Sequence, residues 1–187
     1  MFPPSAAAPP LNIRMAKLGG DDPDAYARHM VEHMAESGRG GSPHFAISRT
    51  WMRDEVRTNF IARLAKGLDE PLWGRAWLLA EGRRVVGHLE LRGGRVPAEM
   101  HRATLGMGML RAVTRRGHGR RLLETALAWA REEANLGWID LGVFSGNAPA
   151  RKLYERMGFV ALCVRQDAFR LDAGPVIDDV EMTLRLR

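Results

Sequence analysis

The spacing of apolar residues changes several times along the chain, and each change marks a predicted element. Residues Leu11 to Lys17 alternate between apolar and polar, which predicts a short edge strand. Apolar residues then recur about every four positions, first from Asp22 to Gly38 and again from Met52 to Leu68, which predicts two helices. A glycine-rich loop from Gly38 to Pro43 separates them, so we expect the helices to form a pair.

Short apolar runs replace the helical spacing in the middle of the chain. The runs Arg75 to Ala80 and Arg84 to Leu91 flank a Glu-Gly-Arg turn at 81–83 and predict a β-hairpin.

A third strand is predicted from Arg102 to Leu110, and it contains Gly106 and Gly108. Glycines inside a strand indicate either a bulge or the close approach of a ligand. From Gly119 the apolar spacing becomes helical, and a further strand follows from Trp138 to Phe144. A strand, a helix and a strand in this order predict a parallel strand pair joined by a crossover helix.

The remainder of the chain predicts a short helix that ends at Gly158, then strands from Phe159 to Gln166 and from Val176 to Leu186. Hairpins before and after the crossover imply antiparallel pairing there. The predicted fold is therefore α/β, with a mixed, mostly antiparallel sheet, a central parallel strand pair, and helices on both faces.

Length and composition are those of one globular domain. With 187 residues, 45% of them hydrophobic, the chain can bury a core, and we assign residues 11–187 to a single domain. Residues 1–10 contain four prolines and are expected to form a flexible tail. Cys163 is the single cysteine, so no internal disulfide is expected. Neither a signal peptide nor a membrane-spanning apolar run is recognisable, which predicts a cytoplasmic protein without a membrane partner.

The chain is basic, with a formal net charge of +6. Such a charge is compatible with a polyanionic partner. However, only Lys17, Lys66 and Lys152 are lysines, and the arginines are scattered through nearly every element. Proteins that bind nucleic acid cluster their basic residues on one face, so a nucleic-acid partner is disfavoured.

A basic turn rich in glycine connects the third strand to the following helix and extends from Thr114 to Leu123 (TRRGHGRRLL). Free amides at a helix N-terminus, beside glycines that admit close approach, favour a phosphate or pyrophosphate. A Rossmann fingerprint would need glycine at 122, where Leu122 stands, and the Gly-Lys-Ser/Thr of a P-loop is absent. An ordinary junction between a loop and a helix remains the alternative.

A second motif extends from Asn147 to Phe159 and contains Ala150, Leu153-Tyr154 and Gly158. Together the two motifs resemble the GNAT superfamily of acyl-CoA-dependent N-acyltransferases over about residues 75 to 186. The family's phosphate-binding turn has the pattern Arg/Gln-x-x-Gly-x-Gly/Ala, and here Thr114 stands at its first position. The segment from Phe169 to Met182 is similar to the closing hairpin of the branch that includes ribosomal-protein and small-amine acetyltransferases.

The resemblance implies an acetyl-CoA-dependent N-acetyltransferase that transfers an acetyl group directly to a primary amine, of a small molecule or a protein, in a ternary complex. It implies that Tyr154 acts as general acid for the CoA thiolate, although a purely structural core aromatic is the alternative. The other implied roles are cofactor binding: the backbone of Met109 and Leu110 for the pantetheine arm, the amides of Arg115, Arg116, Gly117, His118, Gly119 and Arg120 for the pyrophosphate, and a contact from Asn147.

Acetylation of an ammonium group also needs a base. Alternation along the predicted strand puts His88 and Glu90 on one face, and they are the first candidates, although a solvated face would also explain them. His101 is a further candidate. Cys163 is expected to be a small core residue rather than an acyl-accepting nucleophile. The six histidines suggest no metal site.

Two other functions are compatible with the sequence. One is a non-catalytic sensor module that binds acyl-CoA, and the other is a basic nucleic-acid-binding protein. The acceptor pocket is expected between the two N-terminal helices and the loop from Gly38 to His44, and a homodimer is left open.

Overall fold

The computed structural model describes residues 10–39, 43–44, 52–171, 174 and 176–187. Apart from Pro10, the predicted N-terminal tail lies outside the described residues, and so does part of the loop from Gly38 to Pro43. No helix in the described part of the chain is long and apolar enough to cross a membrane.

Seven strands and four α-helices are present in the described residues, nearly in the predicted order and places. The strands are β1 (Leu11–Met15), β2 (Gly74–Glu81), β3 (Arg84–Gly93), β4 (Arg102–Met109), β5 (Trp138–Phe144), β6 (Val160–Arg170) and β7 (Val176–Arg185). The helices are α1 (Asp22–Ala35), α2 (Arg53–Leu64), α3 (His118–Glu132) and α4 (Ala148–Arg156).

All seven strands form one sheet in the order β1-β2-β3-β4-β5-β7-β6. Its neighbours are antiparallel except for β4 and β5, which are parallel and are joined by α3. The predicted mixed sheet, with its central parallel pair and β1 at one edge, is confirmed.

The parallel pair is short, and this feature creates the candidate site. The strands β4 and β5 pair only from Arg102 to Thr104, opposite Trp138 to Asp140. Beyond that point β4 continues along β3 as far as Met109, and β5 continues along β7. The facing edges of β4 and β5 therefore diverge and leave a gap in the sheet, open towards the start of α3.

Helices cover the sheet on both faces. On one face, which we call the α1–α2 face, Tyr26, Met30, Val56 and Phe60 pack on Ala76 and Leu78. On the other face the apolar side of α3 packs on β2, β3 and β4, and α4 joins the same core through Tyr154. Each face of the central sheet is thus buried by a separate hydrophobic cluster.

Two predicted features take a different form in the structure. The second helix ends at Leu64 rather than Leu68, because Lys66 to Glu70 form a turn in which the Gly67 amide donates to the Glu70 carboxylate. The β3–β4 register continues without interruption past Gly106 and Gly108, so of the two alternatives for these glycines the bulge is absent. Those glycines instead allow close approach of side chains to β4.

Cys163 is exposed on β6, and the prediction that it lies in the core was wrong. Val160, Leu162 and Val164 on the same strand are also more than half exposed. Alternation of residue types indicates a strand but does not say whether another layer covers it. Because β6 is an edge strand of the sheet, its apolar residues remain at the surface.

Candidate active site

Main-chain groups of β4 line the gap between β4 and β5. The Leu110 amide donates to the Val86 carbonyl at 2.9 Å, and the Leu110 carbonyl accepts from Val113 at 3.0 Å. Hydrogen-bonding groups alternate sides along an antiparallel strand, so those of Met107 and Met109 point away from β3 and into the gap. Met109 therefore has free main-chain groups, whereas both main-chain groups of Leu110 are already engaged, and Met107 is the second residue with free groups.

The turn before α3 presents a row of free amides at the open end of the gap. Arg115 and Gly117 adopt left-handed conformations with φ of 60° and 80°. The Arg121 amide makes the first hydrogen bond of α3, to the Gly117 carbonyl at 3.2 Å. Within the described chain, the amides of residues 115–120 have no acceptor. Successive unpaired amides in such a turn form a concave anion site.

Positive charge surrounds these amides. Arg115 and Arg116 are exposed and have no acidic partner in the described part of the chain, whereas Arg120 pairs with Glu124 at 2.7 Å. The Thr114 hydroxyl donates to the Arg111 carbonyl at 2.9 Å and so closes the preceding turn. Thr114, which stands where the family pattern has Arg or Gln, therefore shapes the turn.

His118 begins α3 and is half-buried. Burial, and then the charges of Arg121 and Arg116, lower the pKa of its imidazole. A neutral ring at this position adds no positive charge beside the free amides, whereas the neighbouring arginines do.

Gly119 does not leave the open space for phosphate that its place in the motif suggests. A Cβ there would lie 3.1 Å from Met109 Cε and 3.2 Å from Leu153 Cδ2, so side chains already fill that direction. Gly117 is the open position, since a Cβ there would meet nothing within 4 Å. Glycine is favoured at position 117 because the backbone there is left-handed.

Replacing Gly117 with alanine is therefore expected to cost ~1 to 2 kcal/mol of stability, from left-handed strain alone, and to weaken CoA binding by misaligning the amides. Gly20 is a matched control, with φ of 79° and open space around its Cβ position, but away from the turn. Isothermal titration with CoA should show about a tenfold loss for Gly117→Ala and none for Gly20→Ala. Equal affinities in the two variants would remove the turn from the binding site.

Asn147 caps the N-terminus of α4, which follows β5, and Tyr154 lies on that helix. The Asn147 side chain caps the helix by accepting from the Ala150 amide at 3.4 Å, and its NH₂ group has no partner in the described chain. Tyr154 is 5% exposed and packs edge-on against Phe159, yet its hydroxyl makes no hydrogen bond with any described residue. Burial raises the pKa of Tyr154 to about 12, so the phenol keeps its proton at neutral pH.

His88 and Glu90 lie on one face of β3, as predicted, but that face is not solvated. Their exposures are 5% and 6%, because α1 and α2 cover this part of the sheet. The alternative of a solvated sheet face is therefore wrong for both residues.

The Glu90 carboxylate is held by several donors. Arg63 Nη2 lies 3.1 Å from Oε1, and Arg92 Nε lies 3.6 Å from Oε2. The Tyr26 hydroxyl also interacts with it, and the pKa of Tyr26 is raised well above its usual value, first by burial and then by the charge of Glu90. These contacts occupy both carboxylate oxygens of Glu90.

Three further histidines lie near His88, and their proximity was not predicted from the sequence. His29 Nε2 lies 2.9 Å from His88 Nδ1, and the His33 ring lies 6.0 Å from that of His88. The His44 ring in turn stacks on His33 at 4.4 Å. The signal available was the spacing of four between His29 and His33, which places both on one side of α1.

Gly108 makes room for these rings. A Cβ at this position would overlap His33 Nε2 and lie 2.9 Å from His88 Cε1. Similarly, a Cβ at Gly106 would lie 3.2 Å from Arg92 Nη2. The glycines of β4 thus admit side chains from the α1–α2 face onto the strand that lines the gap.

The other candidate residues lie elsewhere. His101 is exposed at the start of β4, whereas the gap opens near the end of that strand, so it is not placed to act as the base. Cys163 lies on the distant edge strand, 3.6 Å from Glu181. Across the described residues, no group of three or more His, Cys, Asp or Glu side chains is arranged to hold a metal ion.

Known proteins resemble this chain at two levels. A model of the acetyltransferase (GNAT) family matches residues 42–159, which is well over half of the sequence. No curated protein sequence matches it.

Solved structures share the fold at low sequence identity. A Salmonella typhimurium protein whose structure contains its cofactor acetyl-CoA is 20% identical, with a TM-score of 0.78 and 95% of each chain covered. A ribosomal-protein-alanine N-acetyltransferase from Brucella melitensis is 18% identical, with a TM-score of 0.77, covering 93% of this chain and 99% of that one.

A spermidine N-acetyltransferase from Vibrio cholerae, solved with CoA and spermine, is 18% identical with a TM-score of 0.71, covering 94% of this chain and 95% of that one. These likenesses confirm the fold class, and the family match confirms the resemblance found in the sequence. The chain belongs to the GNAT family of acetyltransferases, enzymes that use acetyl-CoA.

Proposed function

We propose that this protein transfers an acetyl group from acetyl-CoA to a primary amine, by direct transfer in a ternary complex. The observation that carries the proposal is the row of unpaired amides at residues 115–120, placed where the gap between β4 and β5 opens. A diphosphate is the ligand chemistry that such amides and the neighbouring arginines favour.

The residues along the gap fit the rest of the donor. Main-chain groups of Met107 and Met109 provide a strand edge for the amides of a pantetheine arm. The free NH₂ group of Asn147 provides one further donor from the opposite side of the gap.

Acetyl-CoA supplies a thioester whose thiolate leaves when the amine attacks. Tyr154 is the candidate general acid, because its phenol is protonated at neutral pH and its hydroxyl has no competing partner among the described residues. A proton donated to the departing sulfur lowers the barrier to release of the CoA thiol.

His88 and Glu90 remain the candidates for the base on the α1–α2 face. The contacts favour His88, since Glu90 is occupied by Arg63 and Arg92, whereas Nε2 of His88 has no hydrogen bond with any described residue. Burial lowers the pKa of His88 well below its usual value, which keeps the ring neutral and its lone pair available at neutral pH.

The acceptor is a primary amine of a small molecule or of a peptide. The spermidine and ribosomal-protein enzymes that share the fold act on one of each kind. The covering helices α1 and α2, with His44, form the described part of the acceptor side.

A thermal-shift experiment tests the donor. Acetyl-CoA and CoA are expected to raise the melting temperature, whereas ATP and NAD at equal concentration are not, because the turn matches neither nucleotide-binding fingerprint. At 100 times its dissociation constant a ligand stabilises the folded state by ~2.7 kcal/mol. Stabilisation by ATP equal to that by CoA would refute the donor assignment.

Turnover distinguishes an enzyme from a module that only binds the donor. Release of free CoA thiol should be measured with spermidine, free amino acids and a peptide that begins with alanine. Binding of acetyl-CoA without thiol release on any of these amines would favour a sensor of acyl-CoA.

A further inference from the structure

The contact between His29 and His88 decides which nitrogen of His88 carries a proton. The two nitrogens that meet, His29 Nε2 and His88 Nδ1, are 2.9 Å apart, and the residues are only 1% and 5% exposed. Two neutral imidazoles share one proton in such a contact, so one ring donates and the other accepts. If Nδ1 of His88 donates, its Nε2 is a bare lone pair. If His29 donates instead, Nε2 of His88 already holds a proton and cannot act as a base.

His88 lies where a base would be needed. It is paired across the strands with Gly108, and a Cβ at that glycine would lie 2.9 Å from His88 Cε1. Nε2 is bonded to Cε1, so this nitrogen lies close to the part of β4 that lines the gap. Nε2 makes no hydrogen bond with any described residue.

We propose that His29 is a positioning residue, which accepts the Nδ1 proton of His88 and so keeps Nε2 of His88 free to deprotonate the acceptor amine. This inference rests on the proposed function. In the step, an N–H bond of the ammonium breaks, its proton bonds to Nε2, and the nitrogen keeps the electron pair that attacks the thioester. The imidazolium, still hydrogen-bonded to His29 through Nδ1, afterwards releases the proton to water.

The surroundings allow His29 to play the accepting role. Facing the two rings are Tyr26 and His33 from α1, and Arg84 and Arg92 from β3. Burial, and then His88 and Arg84, lower the pKa of His29 to about 2, so its ring is neutral and can accept through Nε2. In this tautomer Nδ1 of His29 carries the ring's proton. It is buried without a partner in the described chain, so the contact with His88 is the ring's one polar interaction there.

Two variants test the role of His29 in catalysis. His29→Leu removes the acceptor, whereas His29→Gln offers an amide oxygen near the former Nε2. With the faster of two acceptors, spermidine or a peptide that begins with alanine, we expect His29→Leu to lower kcat 10- to 100-fold, with the KM for acetyl-CoA unchanged. His29→Gln should recover at least a third of the wild-type kcat, and the exposed His101→Gln should behave as wild type.

A spectroscopic measurement tests the same idea without turnover. In ¹⁵N-histidine-labelled wild-type protein, the shifts of His88 should show a protonated Nδ1 and a bare Nε2. In His29→Leu they should move towards the opposite tautomer.

A wild-type His88 protonated at Nε2 would overturn the inference, as would a folded His29→Leu variant with the wild-type kcat. If His29→Leu does not fold, the tautomer of His88 in the wild type and in His29→Gln tests the inference instead. Wild-type protein that acetylates neither acceptor would count against the proposed function. The tautomer of His88 would still test the hydrogen bond between His29 and His88.

Discussion

Tyr154→Phe is expected to lower kcat about 100-fold, with the affinity for acetyl-CoA nearly unchanged. Phenylalanine preserves the packing of the ring against Phe159 and removes only the hydroxyl, which has no partner in the described chain. General acid catalysis contributes typically ~10²- to 10⁴-fold, and a thiolate is itself a tolerable leaving group, so we expect the lower end.

The measurement is single-turnover acetyl transfer, in which chemistry limits the rate, combined with titration of CoA. Phe159→Leu is a useful control because it alters the packing of Tyr154 but leaves its hydroxyl. If Tyr154→Phe reacts at the wild-type rate, Tyr154 is a core aromatic and nothing more.

Acidification from pH 7.5 to pH 5 is expected to lower the free energy of unfolding by about 4 kcal/mol through His29 and His33 alone. Burial is the main cause that lowers their pKa values, from 6.5 to about 2 and about 3. Below pH 6.5 the unfolded chain binds protons that the folded chain does not, so stability falls as the pH falls. Each histidine loses ~1.4 kcal/mol per pH unit until its folded pKa is reached.

Urea denaturation across this pH range tests the expectation. In His29→Leu the loss between the two pH values should be smaller by about 2 kcal/mol, since one of the two histidines is absent. His101→Gln should leave the loss unchanged, because that residue is exposed. A stability that does not change between pH 7.5 and pH 5 would contradict the burial of these rings as neutral groups.

The elements of the fold were predictable because they depend on local spacing. The strand from Trp138 to Phe144 has its predicted bounds, and the predicted crossover between β4 and β5 is confirmed as α3. The residues from Thr114 to Leu123 indicate an anion site by themselves, because the glycines and the start of a helix can be recognised within this short stretch of sequence.

The details of the site were less predictable. Gly119 was expected to lie in the phosphate-binding turn beside Gly117, but side chains of β4 and α4 occupy its Cβ direction, and only Gly117 of the two has open space there. Similarly, the main chain of Leu110 is used by β3 and by the following turn. Both features depend on tertiary packing, because a motif gives the order of residues and not the neighbours that fold against them.

The sequence by itself determined the family, the order of strands and helices, the basic glycine-rich turn, and the presence of His88 and Glu90 on one face of a strand. Only the tertiary structure decided that α1 and α2 bury that face and that Arg63 and Arg92 hold Glu90. It also brought His29 into contact with His88 across 59 positions of sequence. Burial of a side chain and contacts between residues far apart in sequence depend on how the helices pack on the sheet. Neither the local spacing of apolar residues nor a sequence motif contains that information.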